Sequence, residues 1–257
     1  MYTQSITRSH RTAFVLLIDG SGSMAEEIDF RGRRMTKAEA VASITNGLLF
    51  ELIERARRND GVRDYYDIAV WSYSGNDEVY SLLPDGSTAL REIPAPAWVA
   101  PEAAGQTPMY QALDQAAELL DAWCRRPEHA ESFPPTVFNI TDGEATDCDD
   151  EELRSVAERL RGLRTCDGNV LLVNIHIAPG DSQRAVFFPS EEEADYPNRY
   201  ARLLYDCSSP MPEVFNEAIR EAKGPGALPP FRGMSYNASA EQLIAMLNIG
   251  SISVKTE

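Results

Sequence analysis

Ala13, Phe14, Val15, Leu16, Leu17 and Ile18 form an unbroken apolar run that stops at Asp19. Such a run suits a strand buried on both faces, as in a parallel sheet. From residue 35 to about 57 the apolar positions Met35, Ala38, Val41, Ala42, Leu48, Leu49, Leu52, Ile53 and Ala56 recur at helical spacing, with charge on the other side. Asn59-Asp60-Gly61 ends that helix. Residues 66–74 predict a second strand closed by Gly75-Asn76, and residues 78–83 a short edge strand. The Pro- and Ala-rich segment 84–105 reads as irregular loop. A helix over 108–124, with Pro at its first position, carries Met109, Leu113, Ala116, Leu119, Leu120 and Trp123 on one face. Val137-Phe138-Asn139-Ile140 is the next strand and ends at Thr141-Asp142. Asp149 or Asp150 caps a helix to about residue 163, and 170–177 is a further strand. The pattern then predicts a short strand at 185–188, helices over 191–204 and 213–223, a closing strand at 231–236, and a helix over 240–247 capped by Ser239.

Strand and helix alternate through most of the chain. That predicts an α/β fold: a doubly wound, mostly parallel central sheet with helices on both faces and one short antiparallel edge strand. All 257 residues are expected to form one domain. Its core spans about 12–178, with an extension or insertion over about 180–230 and a closing strand and helix over about 231–250. In such folds ligands bind at the carboxyl ends of the strands, where Asp19 and Asp142 both fall.

Charge narrows the partners. Forty acidic and 24 basic residues leave a net −16, a field that repels nucleic-acid backbones and anionic lipid heads. No apolar run approaches the ~20 residues of a membrane span, and the first residues lack a secretory pattern. The four cysteines, Cys124, Cys148, Cys166 and Cys207, form no C-x-x-C pair. Reduced thiols in a cytoplasmic protein are the expectation. His10, His129 and His176 sit near no carboxylate cluster in sequence, and His176 reads as a packed strand residue.

Three short stretches carry chemistry: Asp19-Gly20-Ser21-Gly22-Ser23, Gly105-Gln106-Thr107-Pro108 and Thr141-Asp142-Gly143. Together they offer the carboxylates of Asp19 and Asp142 and the hydroxyls of Ser21, Ser23 and Thr107. An all-oxygen set without thiolate or imidazole suits a hard cation such as Mg²⁺ or Mn²⁺, and Ca²⁺ shares the same donors. Alternation at 19, 21 and 23 turns three side chains toward one point, with glycines between them. Hydroxyls leave the cation a net positive charge with which to attract a carboxylate from another molecule. Each stretch also has a plainer reading. Asp-Gly-Ser is common in turns, Thr107 can cap a helix, and Asp147, Asp149, Asp150, Glu151 and Glu152 suit a helix start better than a second metal cluster. A Mg²⁺-dependent phosphoester hydrolase is the rival function, but there is no Asp-x-Asp pair, P-loop or G-x-S-x-G elbow.

These residues resemble the metal-ion-dependent adhesion site of the von Willebrand factor A family, whose pattern is Asp-x-Ser-x-Ser, a distant Thr and a distant Asp, often in Thr-Asp-Gly. The matches are Asp19, Ser21, Ser23, Thr107 and Asp142. The resemblance covers about residues 12–178 and continues more loosely beyond. It implies a Rossmann-like fold and a non-enzymatic protein-binding module. Ser21 and Ser23 would coordinate directly, Thr107 would join when the site is liganded, and Asp19 and Asp142 would act largely through water or exchange between direct and water-mediated contact. A partner's Asp or Glu would take the free position. The ending, Phe231-Arg232-Gly233-Met234-Ser235-Tyr236-Asn237-Ala238 followed by a helix, looks like that of bacterial cytoplasmic members linked to tellurite resistance and stress response. Genes of that group often neighbour protein kinases and phosphatases, which are therefore the expected partners.

Overall fold

The computed structural model describes the chain except residues 31, 60, 76–77, 84–86, 90–98, 101–102, 178–184, 192–195, 197, 225 and 253–257. In chain order the elements are β1 (Thr12–Asp19), β2 (Glu27–Phe30), β3 (Arg33–Thr36), α1 (Lys37–Ala56), β4 (Arg57–Arg58), β5 (Gly61–Val62), β6 (Tyr66–Ser74), β7 (Glu78–Ser81) and β8 (Ser87–Ala89). They continue as α2 (Met109–Cys124), β9 (Thr136–Thr141), α3 (Asp150–Gly162), β10 (Leu171–Ile177), β11 (Val186–Phe187), α4 (Arg199–Cys207), α5 (Asn216–Lys223), β12 (Met234–Ala238) and α6 (Ala240–Ile252).

The main sheet runs β11-β12-β10-β9-β1-β6-β7, with β8 also pairing β6. β12, β10, β9, β1 and β6 are parallel neighbours. β7, β8 and β11 are antiparallel, so both ends of the sheet close this way rather than one. All eight residues of β1 are buried, because the strand lies between β6 and β9 and has helices on both faces. Its side chains alternate. Phe14, Leu16 and Ile18 join a core with α1, α5 and α6, whereas Ala13, Val15 and Leu17 join a core with α2, α3 and α4. The connection through α1 leads from β1 to β6 on one side, and the next one leads to β9 on the other. The strand order therefore reverses at β1, which opens a crevice between the ends of β1 and β9.

Several boundaries differ from the sequence reading. Met35 belongs to β3, not to the helix, and the hairpin of β2 and β3 was not expected. The helix starts at Lys37 because Thr36 and Glu39 form a capping box: the Thr36 Oγ1 accepts from Glu39 N (3.1 Å) and the Glu39 carboxylate accepts from Thr36 N (2.8 Å). Within the expected loop 84–105, Ser87–Ala89 is a strand, and residues 84–86, 90–98 and 101–102 lie outside the described residues. The helix placed over 191–204 begins only at Arg199, where the Asn198 side chain caps it; 192–195 and 197 lie outside the described residues. The closing strand is shifted to Met234–Ala238, and the final helix extends to Ile252. Asp149 caps α3 as expected, in a capping box with Glu152. The four cysteines are unpaired. Among the described residues no helix is long and apolar enough to cross a membrane.

Candidate metal centre

The three stretches meet at the crevice. β1 delivers Asp19, whose Cα is in register with Tyr73 of β6, and the chain then leaves the sheet through Gly20. Ser21 N donates to Asp19 Oδ1 (2.8 Å), which bends the loop so that the Ser21 and Ser23 hydroxyls lie 3.1 Å apart. β9 ends at Thr141, and Asp142 follows. The Ser23 hydroxyl donates to Asp142 Oδ1 at 2.6 Å. Thr107 follows a segment tied to the same loop, since Gly22 N donates to the Gly105 carbonyl (3.1 Å). A Cβ built on Gly143 would lie 3.7 Å from Thr107 Oγ1 and 3.9 Å from Ser23 Oγ, so both hydroxyls face the same small space.

Thr107 does not cap α2. The backbone N–H groups of Tyr110 and Gln111 donate instead to the Asp147 carboxylate (3.1 and 3.0 Å), so its acidic run serves helix starts. The loop after β9 also fixes Thr107 directly: Thr107 N donates to Thr146 Oγ1 (3.0 Å) and Thr146 N to the Thr107 carbonyl (3.1 Å).

The electrostatics are unbalanced. Asp19 is 1% exposed, and among the described residues the donors to its carboxylate are neutral, Ser21 N and the Thr141 hydroxyl (2.6 Å). Burial, with a contribution from Asp142, holds its carboxyl above the usual range despite those hydrogen bonds. Asp142 differs: the buried Lys37 ammonium donates to its Oδ2 at 2.7 Å and also to Glu26 Oε2 at 2.7 Å. The donor set therefore suits a hard cation, with an uncompensated buried carboxylate beside three converging hydroxyls. Among the described residues no group of three or more His, Cys, Asp or Glu side chains could hold a metal, so hydroxyls must complete any ligand set.

The sequence reading missed several residues around this space. Lys37 and Glu26 are brought there by the β2–β3 hairpin. Tyr200 of α4 donates its hydroxyl to the Gly143 carbonyl. Beneath, a buried chain runs from the Tyr73 hydroxyl to Asn139 Oδ1 (2.8 Å), from Asn139 Nδ2 to Asn174 Oδ1 (3.0 Å) and from Asn174 Nδ2 to Ser208 Oγ (2.9 Å). Such a satisfied network fixes the ends of β6, β9 and β10 against one another. His176, which has no carboxylate cluster near it in sequence, lies beside Asp142, because β10 pairs with β9 at His176↔Thr141. It is packed all the same: its ring stacks on Tyr236 at 4.2 Å and its Nδ1 accepts from Asn237 N at 3.3 Å.

Burial lowers the His176 imidazole to about 4, against 6.5 when exposed. The unfolded chain takes up this proton below pH 6.5 and the folded one only near 4. Stability is thus complete above 6.5 and falls as pH drops toward 4, with a slope approaching about 1.4 kcal/mol per unit from this group. In EDTA, His176→Phe keeps a ring against Tyr236 and should flatten the pH dependence of the urea midpoint between 6.5 and 4. An unchanged slope would assign the acid sensitivity elsewhere.

No protein-family model matches the sequence, and no curated protein matches it. Solved structures do resemble it. The manganese-loaded TRAP protein of Plasmodium vivax has a TM-score of 0.53 at 18% identity, over 97% of this chain and 75% of that one. The von Willebrand factor type A protein of Catenulispora acidiphila has a TM-score of 0.45 at 20% identity, over 66% of this chain and 34% of that one. The vWF domain of the type V pili tip protein Mfa5 of Porphyromonas gingivalis has a TM-score of 0.37 at 15% identity, over 53% and 39%. The chain thus spans about a third of the Catenulispora protein. At these identities the likeness to TRAP is one of fold.

Proposed function

We propose that this chain is a von Willebrand factor A-type protein-binding module whose adhesion site takes one divalent cation, Mg²⁺ or Mn²⁺ first and Ca²⁺ as a third candidate. Asp19, Ser21, Ser23, Thr107 and Asp142 would hold it. The observation that carries this reading is the buried Asp19 carboxylate, without a cationic partner among the described residues, beside hydroxyls from its own loop and from Thr107. The manganese in the TRAP structure, on the same fold, supports a divalent metal. When bound, the cation supplies an electrophilic position for a partner's Asp or Glu. The chain's own part is to orient: Ser21 N and Thr141 aim Asp19, Ser23 aims Asp142, and the Thr146 pairing aims Thr107.

The chain's net charge of −16 repels acids in general, so the partner's carboxylate should sit within a locally basic or apolar surface. From the resemblance of the chain's ending, the role is that of a cytoplasmic adaptor in a bacterial stress-response or phospho-signalling complex, with a kinase or phosphatase as partner, and not that of an enzyme.

Metal at a hundredfold excess over its Kd stabilises the folded state by about 2.7 kcal/mol, roughly 5–10 °C in Tm for a chain of this size. The wild type should show such a rise with Mg²⁺ or Mn²⁺ and lose it in EDTA, and Ser21→Ala together with Ser23→Ala should abolish it. A Tm indifferent to both metals and to EDTA would end the metal reading.

A further inference from the structure

Lys37 has three features that a helix-starting lysine normally avoids. It is 2% exposed. It occupies the first position of α1, where a positive charge opposes the helix dipole. Its ammonium is shared between two carboxylates, the fully buried Asp142 and the half-exposed Glu26, both at 2.7 Å. The β2–β3 hairpin makes this geometry. Glu27 pairs with Thr36, and Lys37 N donates to the Glu26 carbonyl at 3.0 Å, so the chain leaves the Ser21–Ser23 loop and returns with an ammonium beside its starting point.

The ammonium does not sit where the hydroxyls converge. It holds Asp142 Oδ2, while Ser23 holds Oδ1. The Asp142 carboxylate thus stands between an internal cation and the space that the hydroxyls face. We propose that Lys37 is a resident cation of the site. It keeps Asp142 in place when no metal is bound, and it weakens the grip on the metal by competing for the same carboxylate. The charge count gives the consequence. Asp19, Asp142, Glu26 and Lys37 together carry two negative charges, so a divalent ion neutralises the centre; without Lys37 the same ion would leave it negative. Lys37 thereby keeps the loaded centre of an acidic protein from repelling a partner's acid.

This inference rests on the metal reading, and calorimetric titration with Mn²⁺ alone separates the two. Lys37→Met should bind Mn²⁺ about tenfold or more tightly than wild type. Its Tm in EDTA should fall, because Asp142 is left buried without its ion partner, so the gap between Mn²⁺ and EDTA widens. Glu26→Gln removes a carboxylate, leaves the ammonium to Asp142, and should weaken Mn²⁺ binding severalfold. It carries the test if Lys37→Met does not fold. Arg34→Gln removes a positive charge from an exposed position of the same hairpin and should change Mn²⁺ affinity less than twofold. If neither wild type nor Lys37→Met binds Mn²⁺, the metal reading falls and takes this one with it. If wild type binds and Lys37→Met binds no more tightly, or Glu26→Gln binds as well as wild type, or Arg34→Gln matches Lys37→Met, the role of Lys37 alone is overturned.

Discussion

Asp19→Asn is expected to melt above the wild type in EDTA and to show no further rise in Mg²⁺. The sign follows from the raised carboxyl of Asp19. Burial penalises the charged carboxyl in the folded chain and not in the unfolded one. Removing the charge removes that cost. The hydrogen bonds survive the exchange. The oxygen of the introduced amide still accepts from Ser21 N, its NH₂ group donates to Thr141 Oγ1, and the Thr141 hydroxyl turns to the Gly143 carbonyl, already 3.0 Å away. What the proposed site would lose is one of two carboxylates for the cation, and with it the roughly 5–10 °C that saturating metal would add. The advantage of the amide in EDTA should shrink as pH falls through the folded value of Asp19, where the wild type also becomes neutral. Melting curves with and without Mg²⁺ at two pH values check all of this. A lower Tm than wild type in EDTA, or a remaining response to Mg²⁺, would contradict it. Such an outcome pattern, less stable with the acid and responsive only with it, is the signature of a residue retained for binding.

Most of the frame was legible because burial on both faces leaves no choice of pattern. β1 sits at the centre of the sheet and therefore reads as a plain apolar run, and β9 and β10 read as mainly apolar runs broken by Asn139, Asn174 and His176. That the three site stretches come together was legible because Asp19, Ser21 and Ser23 need local alternation and Thr107 and Asp142 follow recognisable flanks. Lys37 was not legible. In sequence it is one charged residue in a helix with a polar side, and only the hairpin reveals that it points inward. That hairpin was open to reading: Ile28 and Phe30 alternate with acids before Gly32, and Thr36-Lys37-Ala38-Glu39 has the spacing of a capping box. The helical spacing of Met35 hid both, since a strand residue two positions before a helix can match its period by chance. His176 is packed, as its place in an apolar strand suggested, but its proximity to Asp142 was not legible because it comes from the β9–β10 register, a long-range fact.

Gly105→Ala should be among the most damaging of single-methyl additions to this chain. Gly105 has φ +76°, a backbone conformation that costs any residue with a Cβ. Its added Cβ would also lie 2.7 Å from Gly75 N and collide with Gly75 Cα, which is main chain and has no rotamer to change. Nor is the segment free to move aside. Gly75 N donates to the Ala104 carbonyl (3.3 Å) and Gln106 N to the Gly75 carbonyl (3.2 Å), while Ala104 N and the Gly105 carbonyl bond Gly20 and Gly22 (2.7 and 3.1 Å). The methyl therefore pushes on the loop that carries Ser21 and Ser23 from one side and on Thr107 from two residues away. Backbone strain and overpacking together should cost about 2–4 kcal/mol, read as a lower urea midpoint at unchanged m. Mn²⁺ affinity should fall at least tenfold, because hydroxyls from two loops leave their common space. Gly47→Ala is the control: in α1, with nothing within 4 Å of the added carbon, it should gain about 0.5–1 kcal/mol from helix propensity and leave metal affinity alone. Wild-type stability or wild-type Mn²⁺ affinity in Gly105→Ala would mean that the contact between the two glycines does not hold the site.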